Sequence, residues 1–169
     1  MDPLGLWPTG AYDSQNVHGN SITRVLGSKL PANDITLLIN QQVAADEDQT
    51  AAGSYKHAMR SPNQTVAQAM ALANAFVRFQ IEQARRMEKN GCHDQAMQHL
   101  GNAIHTLQDT SSPMHNGFQV WDGNTHSWDA LQHGLGEDFD PGAGSQLDQA
   151  TGDALKYFNG APMPENFFT

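Results

Sequence analysis

The sequence predicts an all-α fold, a compact multi-helix bundle, and three observations carry that expectation. Apolar residues recur at helical spacing over residues 64–90 and again over 94–110. No stretch alternates apolar and polar residues as a half-buried strand would, and no internal repeat divides the chain.

Taken in order, residues 1–13 read as an extended leader, because Pro3, Gly5, Pro8 and Gly10 punctuate it with turns. A first helix is expected over about 14–26. A second starts at the cap-like Asn33 and Asp34 and runs through ITLLINQQVAAD, with Ile35, Leu38, Ile39 and Val43 on one side. A loop containing Gly53 and Ser61-Pro62 follows. Gln64–Asn90 is the strongest periodic segment: Val66, Ala69, Met70, Ala73, Phe76, Val77, Ile81 and Ala84 share a face, and Gly91 stops it. The next helix covers Asp94 to Thr110, with Ala96, Met97, Leu100, Ala103, Ile104 and Leu107 inward, and ends at Ser112-Pro113 because proline disfavours helix in the residue before it. A short helix is expected over Ser127–Leu135 and a last one over Gln146–Phe158.

Bulk properties bound the function. A chain of 169 residues suits one domain with a real core. At 38% hydrophobic and 16% charged residues it reads as neither coiled coil nor disordered tail. No apolar run approaches the roughly 20 residues of a bilayer span. MDPLGLWPTG lacks the basic and apolar regions of a signal peptide. Nine Lys+Arg against 18 Asp+Glu give a net charge of −9, and Arg85, Arg86 and Lys89 form the only notable basic group. Such a surface suits nucleic acid poorly, since duplex binders neutralise phosphates with clustered bases. The single Cys92 excludes an internal disulfide and reads as a packed or surface thiol.

Histidine is the unusual residue, with eight in the chain. In AIHTLQDTSSPMH, His105 and Asp109 stand four apart on an expected helix, so they share a face with Cβ atoms about 5–6 Å apart. Pro113 turns the chain so that His115 can return beside them. Imidazole and carboxylate are common zinc ligands. An aspartate near a helix C-terminus opposes the helix dipole, which favours a functional reason for Asp109.

H-x3-D-x5-H with Pro-Met before the last histidine resembles the signature of the zinc-dependent phospholipase C / S1-P1 nuclease family. Other positions follow the resemblance in order over roughly residues 7 to 137: His18 early in the first helix, Ala44-Ala45-Asp46, and His57 eleven residues later. The family pattern closes on a histidine followed four residues later by a carboxylate, which His133 and Glu137 supply. His126 lies in a phospholipase-like HSW context, but its fourth follower is Ala130, so His133 is favoured. The resemblance implies an all-helical bundle of the phospholipase C/P1 nuclease type holding up to three zinc ions in a cleft. Asp46, His57, His105 and Asp109 would hold one. His115, His133 and Glu137 would hold a second. His18, a bridging Asp109 and an N-terminal tryptophan would hold the third, with Asp46 also orienting the attacking water. The chain is shorter than typical members, so substrate-pocket loops are expected to be reduced.

The family's tryptophan binds through a free α-amine, whereas Trp7 is internal here. The preceding Asp2-Pro3-Leu4-Gly5-Leu6 resembles the DPxGL motif closing Rhs-type polymorphic toxin cores, where an aspartyl autoprotease cuts after the leucine. That resemblance implies residues 1–6 as a core remnant and 7–169 as the toxin domain, with cleavage after Leu6 completing the third site. The chain would then be an effector made in the cytoplasm, held in an Rhs core shell, delivered into a target cell and matched by an immunity protein. The first functional expectation is phospholipase C-like hydrolysis at a phospholipid membrane surface. A single-strand nuclease is the alternative, and a helical interaction module with structural zinc is the second. Glu47 stands where a choline-binding phospholipase would offer an aromatic, which argues against choline preference. Phe118, Trp121 or Trp128 would engage lipid if exposed, or pack internally.

Overall fold

Asn16 opens the first helix, α1 (Val17–Leu26), its side-chain oxygen accepting from the Gly19 N–H at 2.7 Å, so the helix begins inside the expected span. The computed structural model describes residues 16–113, 115–124 and 140–169, and among these it is helical, with one isolated bridge between Arg60 and Val120 and no strand. The expected leader and the expected helix over Ser127–Leu135 lie outside the described residues.

Pro31 caps α2 (Ala32–Ala45), placing Asn33 and Asp34 in its first turn rather than at the cap. Asp34 is turned instead toward His93, 3.0 Å away. Of the four apolar residues expected on one side of α2, only Leu38 is fully buried; one turn further on the same face carries the buried Gln42.

The segment expected as a loop around Gly53 is a 3-10 helix, Ala51–His57. Thr50 caps it by accepting from the Gly53 N–H at 3.1 Å, and Ala58, in the left-handed conformation at φ 53°, ends it directly after His57. Seven residues of i to i+3 bonding carry no 3.6-residue apolar period, which is why the pattern of the sequence does not betray it.

Thr65 and Gln68 form a capping box at the start of α3 (Val66–Lys89). Ala69, Ala73, Val77, Ile81 and Ala84 face inward as expected, whereas Val66 is exposed, being the first residue after the cap. The next helix, α4 (His93–Asp109), buries all six apolar residues expected on its inner face. It also buries His105, Thr106, Gln108 and Asp109, because its C-terminal turn is enclosed on every side. The last helix, α5 (Gln146–Phe158), has its expected limits and is capped by Ser145.

α4 is the central helix, packed against α2, α3, α5 and the 3-10 helix, while α1 packs on α2 and α5. Its close approach to α2 depends on Gly101: a Cβ there would fall 2.7 Å from the Cβ and Cγ of Gln41. One continuous apolar core, running from Ile22 and Leu38 through Met97 and Ile104 to Leu155 and Phe168, supports this arrangement. At its edge Phe118 and Trp121 are buried, so neither offers the exposed aromatic face considered for lipid contact. Trp121 donates from its indole N–H to the Gln49 carbonyl at 3.0 Å, tying its segment to the chain that follows α2. Trp128 lies outside the described residues. No described helix is long and apolar enough to cross a membrane.

Candidate metal centre

Four elements bring polar side chains into the interior beside the C-terminal turn of α4. His105 and Asp109 come from that turn, as their four-residue spacing requires. α1 delivers His18 from its first turn, the residue after α2 is Asp46, and the 3-10 helix ends on His57. His18, His57, His105 and Asp109 are each at most 3% exposed, and the Asp46 side chain is 13% exposed. Burying so many ionisable groups together is costly unless each finds a partner of opposite charge.

Their inner atoms converge. His105 Nε2 lies 3.2 Å from Asp109 Oδ2, 3.2 Å from Asp46 Oδ1 and 3.0 Å from His57 Nδ1. His57 Nδ1 is 3.3 Å from Asp109 Oδ2 and 4.0 Å from Asp46 Oδ1. The other oxygen of Asp109 faces away from this group, toward His18 Nε2 at 3.3 Å. Two overlapping sets of donors could therefore hold a metal ion, Asp46 with His57 and His105, and His18 with His105 and Asp109. One imidazole nitrogen binds one ion, so the sets share His105 only in alternation, whereas Asp109 has an oxygen for each side.

Hydrogen bonding leaves the inner atoms poorly satisfied. Both carboxylate oxygens of Asp46, Asp109 Oδ1 and His18 Nε2 are buried without a well-formed hydrogen bond to any described group. Buried polar atoms of this kind are rare and call for a cause, such as an ion. Electrostatics agree. Burial alone would lower the His105 pKa, but the charges of Asp109 and Asp46 outweigh it and raise it to about 10. Burial would likewise raise Asp109, yet the charge of His105, with the imidazoles of His18 and His57 close by, holds it well below the usual carboxylate range. The two carboxylates thus demand a positive charge at this point, which a proton or a cation can supply.

The surroundings hold the ligand atoms from behind. His57 Nε2 lies 3.1 Å from the Asp48 carbonyl, and the Lys56 ammonium beside Asp48 lowers that carboxyl to about 2. Thr106 donates to the Lys56 carbonyl at 2.6 Å, fastening the 3-10 helix to α4. Gln42 and Gln108 meet the outer nitrogens of His105 and His18 at 3.2 and 2.6 Å. The sequence pattern did not single out these glutamines; an amide at an inward helical position, one turn before Asp46 or adjoining Asp109, is the signal that marks them. A recess of about 190 Å³, lined by Ala44, Ala45, Lys56, Phe76 and Thr106 among others, borders His105.

Of the residues named from the sequence, the structure brings together His18, Asp46, His57, His105 and Asp109. His115 is buried in the turn after Pro113 but belongs to neither converging set among the described residues. Trp7, His133, Glu137 and the alternative His126 lie outside the described residues, as does the Asp2–Leu6 motif. No family model matches the chain, and no curated protein or solved structure is detectably similar to it.

Proposed function

We propose that this chain is a zinc-dependent phosphodiesterase of the phospholipase C type, acting on the headgroup phosphodiester of membrane phospholipids. The observation that carries the reading is the spacing of the donor atoms. A tetrahedral site with bonds of about 2.0–2.2 Å has ligand–ligand edges of about 3.3–3.6 Å. Five of the six edges among Asp46, His57, His105 and Asp109 run from 3.0 to 4.0 Å, with two nitrogens and two carboxylate oxygens, a donor set suited to zinc. Asp109 Oδ1 and His18 begin a second site on the far side of the shared carboxylate, which supports a cluster rather than a single structural ion.

Zinc held there would supply Lewis acidity toward a phosphoryl oxygen and lower the pKa of water. The protein's own part is to hold five donors in place and keep bulk water from their ligand atoms. Asp46, just after α2, has the least enclosed side chain of the five and two oxygens without a well-formed hydrogen bond, which supports it as the group that would take a proton from an attacking water. A membrane substrate fits the net charge of −9 better than a polyanion does. Arg85 directs guanidinium donors to the carbonyls of Tyr157 and Ala161, which ties α3 to the end of α5. Release of the domain by cleavage after Leu6, with the Trp7 amine completing a third zinc site, belongs to the same proposal and rests on the sequence resemblance.

The deciding experiment incubates zinc-loaded protein, cut after Leu6, with mixed phospholipid vesicles and separately with single-stranded DNA and RNA. Release of phosphorylated headgroups, abolished in Asp46→Asn, is the expected result. Nucleotide release instead would make the protein a nuclease, and neither product, with unfolding on chelation, would make the zinc structural.

A further inference from the structure

Each of the three converging histidines has its outer nitrogen set against a group whose hydrogen-bonding role is already decided. The Gln42 amide nitrogen donates to two backbone carbonyls, Leu38 O at 3.1 Å and Gly101 O at 3.2 Å. Carbonyls only accept, so the amide cannot be reversed, and its oxygen must face His105 Nδ1 at 3.2 Å. Gln108 is oriented in the same way. Its amide nitrogen donates at 2.7 Å to Thr151 Oγ1, whose own hydrogen goes to the Leu147 carbonyl at 2.9 Å. The Gln108 oxygen therefore faces His18 Nδ1 at 2.6 Å. An amide oxygen calls for a hydrogen on the nitrogen it faces, so each ring, once neutral, carries its hydrogen on Nδ1 and turns a Nε2 lone pair inward; a cation at the centre takes the place of the proton that His105 Nε2 otherwise offers the two carboxylates. For His57 the acceptor is the Asp48 carbonyl on Nε2, so the ring is reversed and its Nδ1 lone pair points inward.

From this we infer that Gln42 and Gln108 are positioning residues that fix the tautomers of His105 and His18, so that the cluster offers lone pairs only and is complementary to a cation. The assignment also gives the ligand atoms: Nε2 from His18 and His105, Nδ1 from His57. A glutamine in this role replaces the carboxylate or carbonyl that more often stands behind a metal-binding histidine. A neutral amide suits this interior, because a carboxylate at 42 would face the carbonyls of Leu38 and Gly101. Position 108 differs. There a carboxylate could still accept from His18 and, as a stronger acceptor than the Leu147 carbonyl, could draw the Thr151 hydrogen away from it, which a neutral amide does not. This inference rests on the metal-centre reading and is independent of the substrate.

The test compares Gln42→Leu, Gln108→Leu and Gln108→Glu with the wild type, using zinc affinity by chelator competition and thermal melting in excess chelator. Both leucine variants are expected to bind zinc about 10–100-fold more weakly, the range for losing an outer-shell partner. Gln108→Glu keeps the acceptor and is expected to stay within a few-fold of wild type, although it disturbs packing at the same position. Long-range 1H–15N spectra of the zinc-loaded wild type should show the hydrogen on Nδ1 of His18 and His105 and on Nε2 of His57, a readout that needs no variant to fold. Leucine variants that bind as tightly as wild type, a glutamate variant as weak as the leucine one, or the opposite tautomers would overturn the inference. A wild type that binds no zinc would overturn the metal-centre reading itself, and this inference with it.

Discussion

Asp109 and Asp46 look alike in the sequence, yet the structure gives them different duties. Asp109 is fully buried between three imidazoles, one oxygen toward His18 and the other toward His57 and His105. Replacing it by asparagine leaves buried histidines without their counter-charge, a change of the kind that costs about 3–5 kcal/mol. Asp109→Asn is therefore expected to lower both zinc affinity and the stability of the metal-free fold. Asp46 sits at the rim with two oxygens that no described group bonds well, so Asp46→Asn should abolish activity and weaken zinc while costing the metal-free fold far less. Urea denaturation in chelator, beside a zinc titration, separates the two; equal losses of metal-free stability would contradict this ranking. Spacing made His105 and Asp109 legible as a pair, because a four-residue interval has one geometric meaning on a helix. His18, Asp46 and His57 had no such local meaning and were found only through the family resemblance. The glutamines were not found, since an amide has no characteristic spacing and its orientation depends on carbonyls far away in sequence.

At the scale of elements, the helices were legible wherever one face is apolar and the ends are capped. The expected and observed limits of α5 coincide, and α3 and α4 differ from expectation by a residue or two. What escaped was the 3-10 helix, which positions His57 through caps and a left-handed Ala58 rather than through apolar periodicity. The seam between α2 and α4 was equally silent. Gly101→Ala would drive its methyl into Gln41, 2.7 Å away, and over-packing of this kind costs about 1–3 kcal/mol. Because Gln42 and Asp46 ride on the displaced helix, zinc affinity should fall along with the melting temperature. Thr65→Ala makes the contrasting case: it removes the α3 capping box for about 1 kcal/mol and should leave zinc affinity unchanged, α3 contributing no donor. Parallel melting curves and zinc titrations on both variants check the distinction. An equal effect on zinc would mean that α3 supports the centre as closely as α2 does.

For the molecule as a whole, two kinds of charge linkage govern stability. Arg24 on α1 holds Asp148 on α5 at 2.7 Å and Asp140 before it at 3.1 Å, fastening these two packed helices to each other. Burial alone would raise both aspartates, but Arg24, helped by Ser21 and Gly144 at Asp148 and by Gly142 at Asp140, leaves them below their ordinary range. A carboxyl depressed by folding adds stability above its unfolded pKa of about 3.9 and loses it as pH falls through the folded value. Stability should therefore decline below about pH 4, and Arg24→Met should flatten that decline, as read from urea midpoints between pH 3 and 6. The same slope in the variant would assign the acid limb to other groups. Metal acts by mass action: zinc at 100 times its dissociation constant should stabilise by about 2.7 kcal/mol, and excess chelator should reverse the gain. A melting temperature indifferent to zinc would argue against a centre that forms only in the folded chain.

Trp121 has a use beyond packing. Its indole is enclosed and hydrogen-bonded to Gln49, three residues beyond Asp46, so it touches the backbone that must settle when that carboxylate finds a cation. The chain has three tryptophans, and with Trp7 and Trp128 replaced by phenylalanine the emission would come from this one alone. Such a protein would carry its own optical gauge of occupancy, its intensity and wavelength tracking zinc at the first site without an added dye and in real time on a vesicle surface.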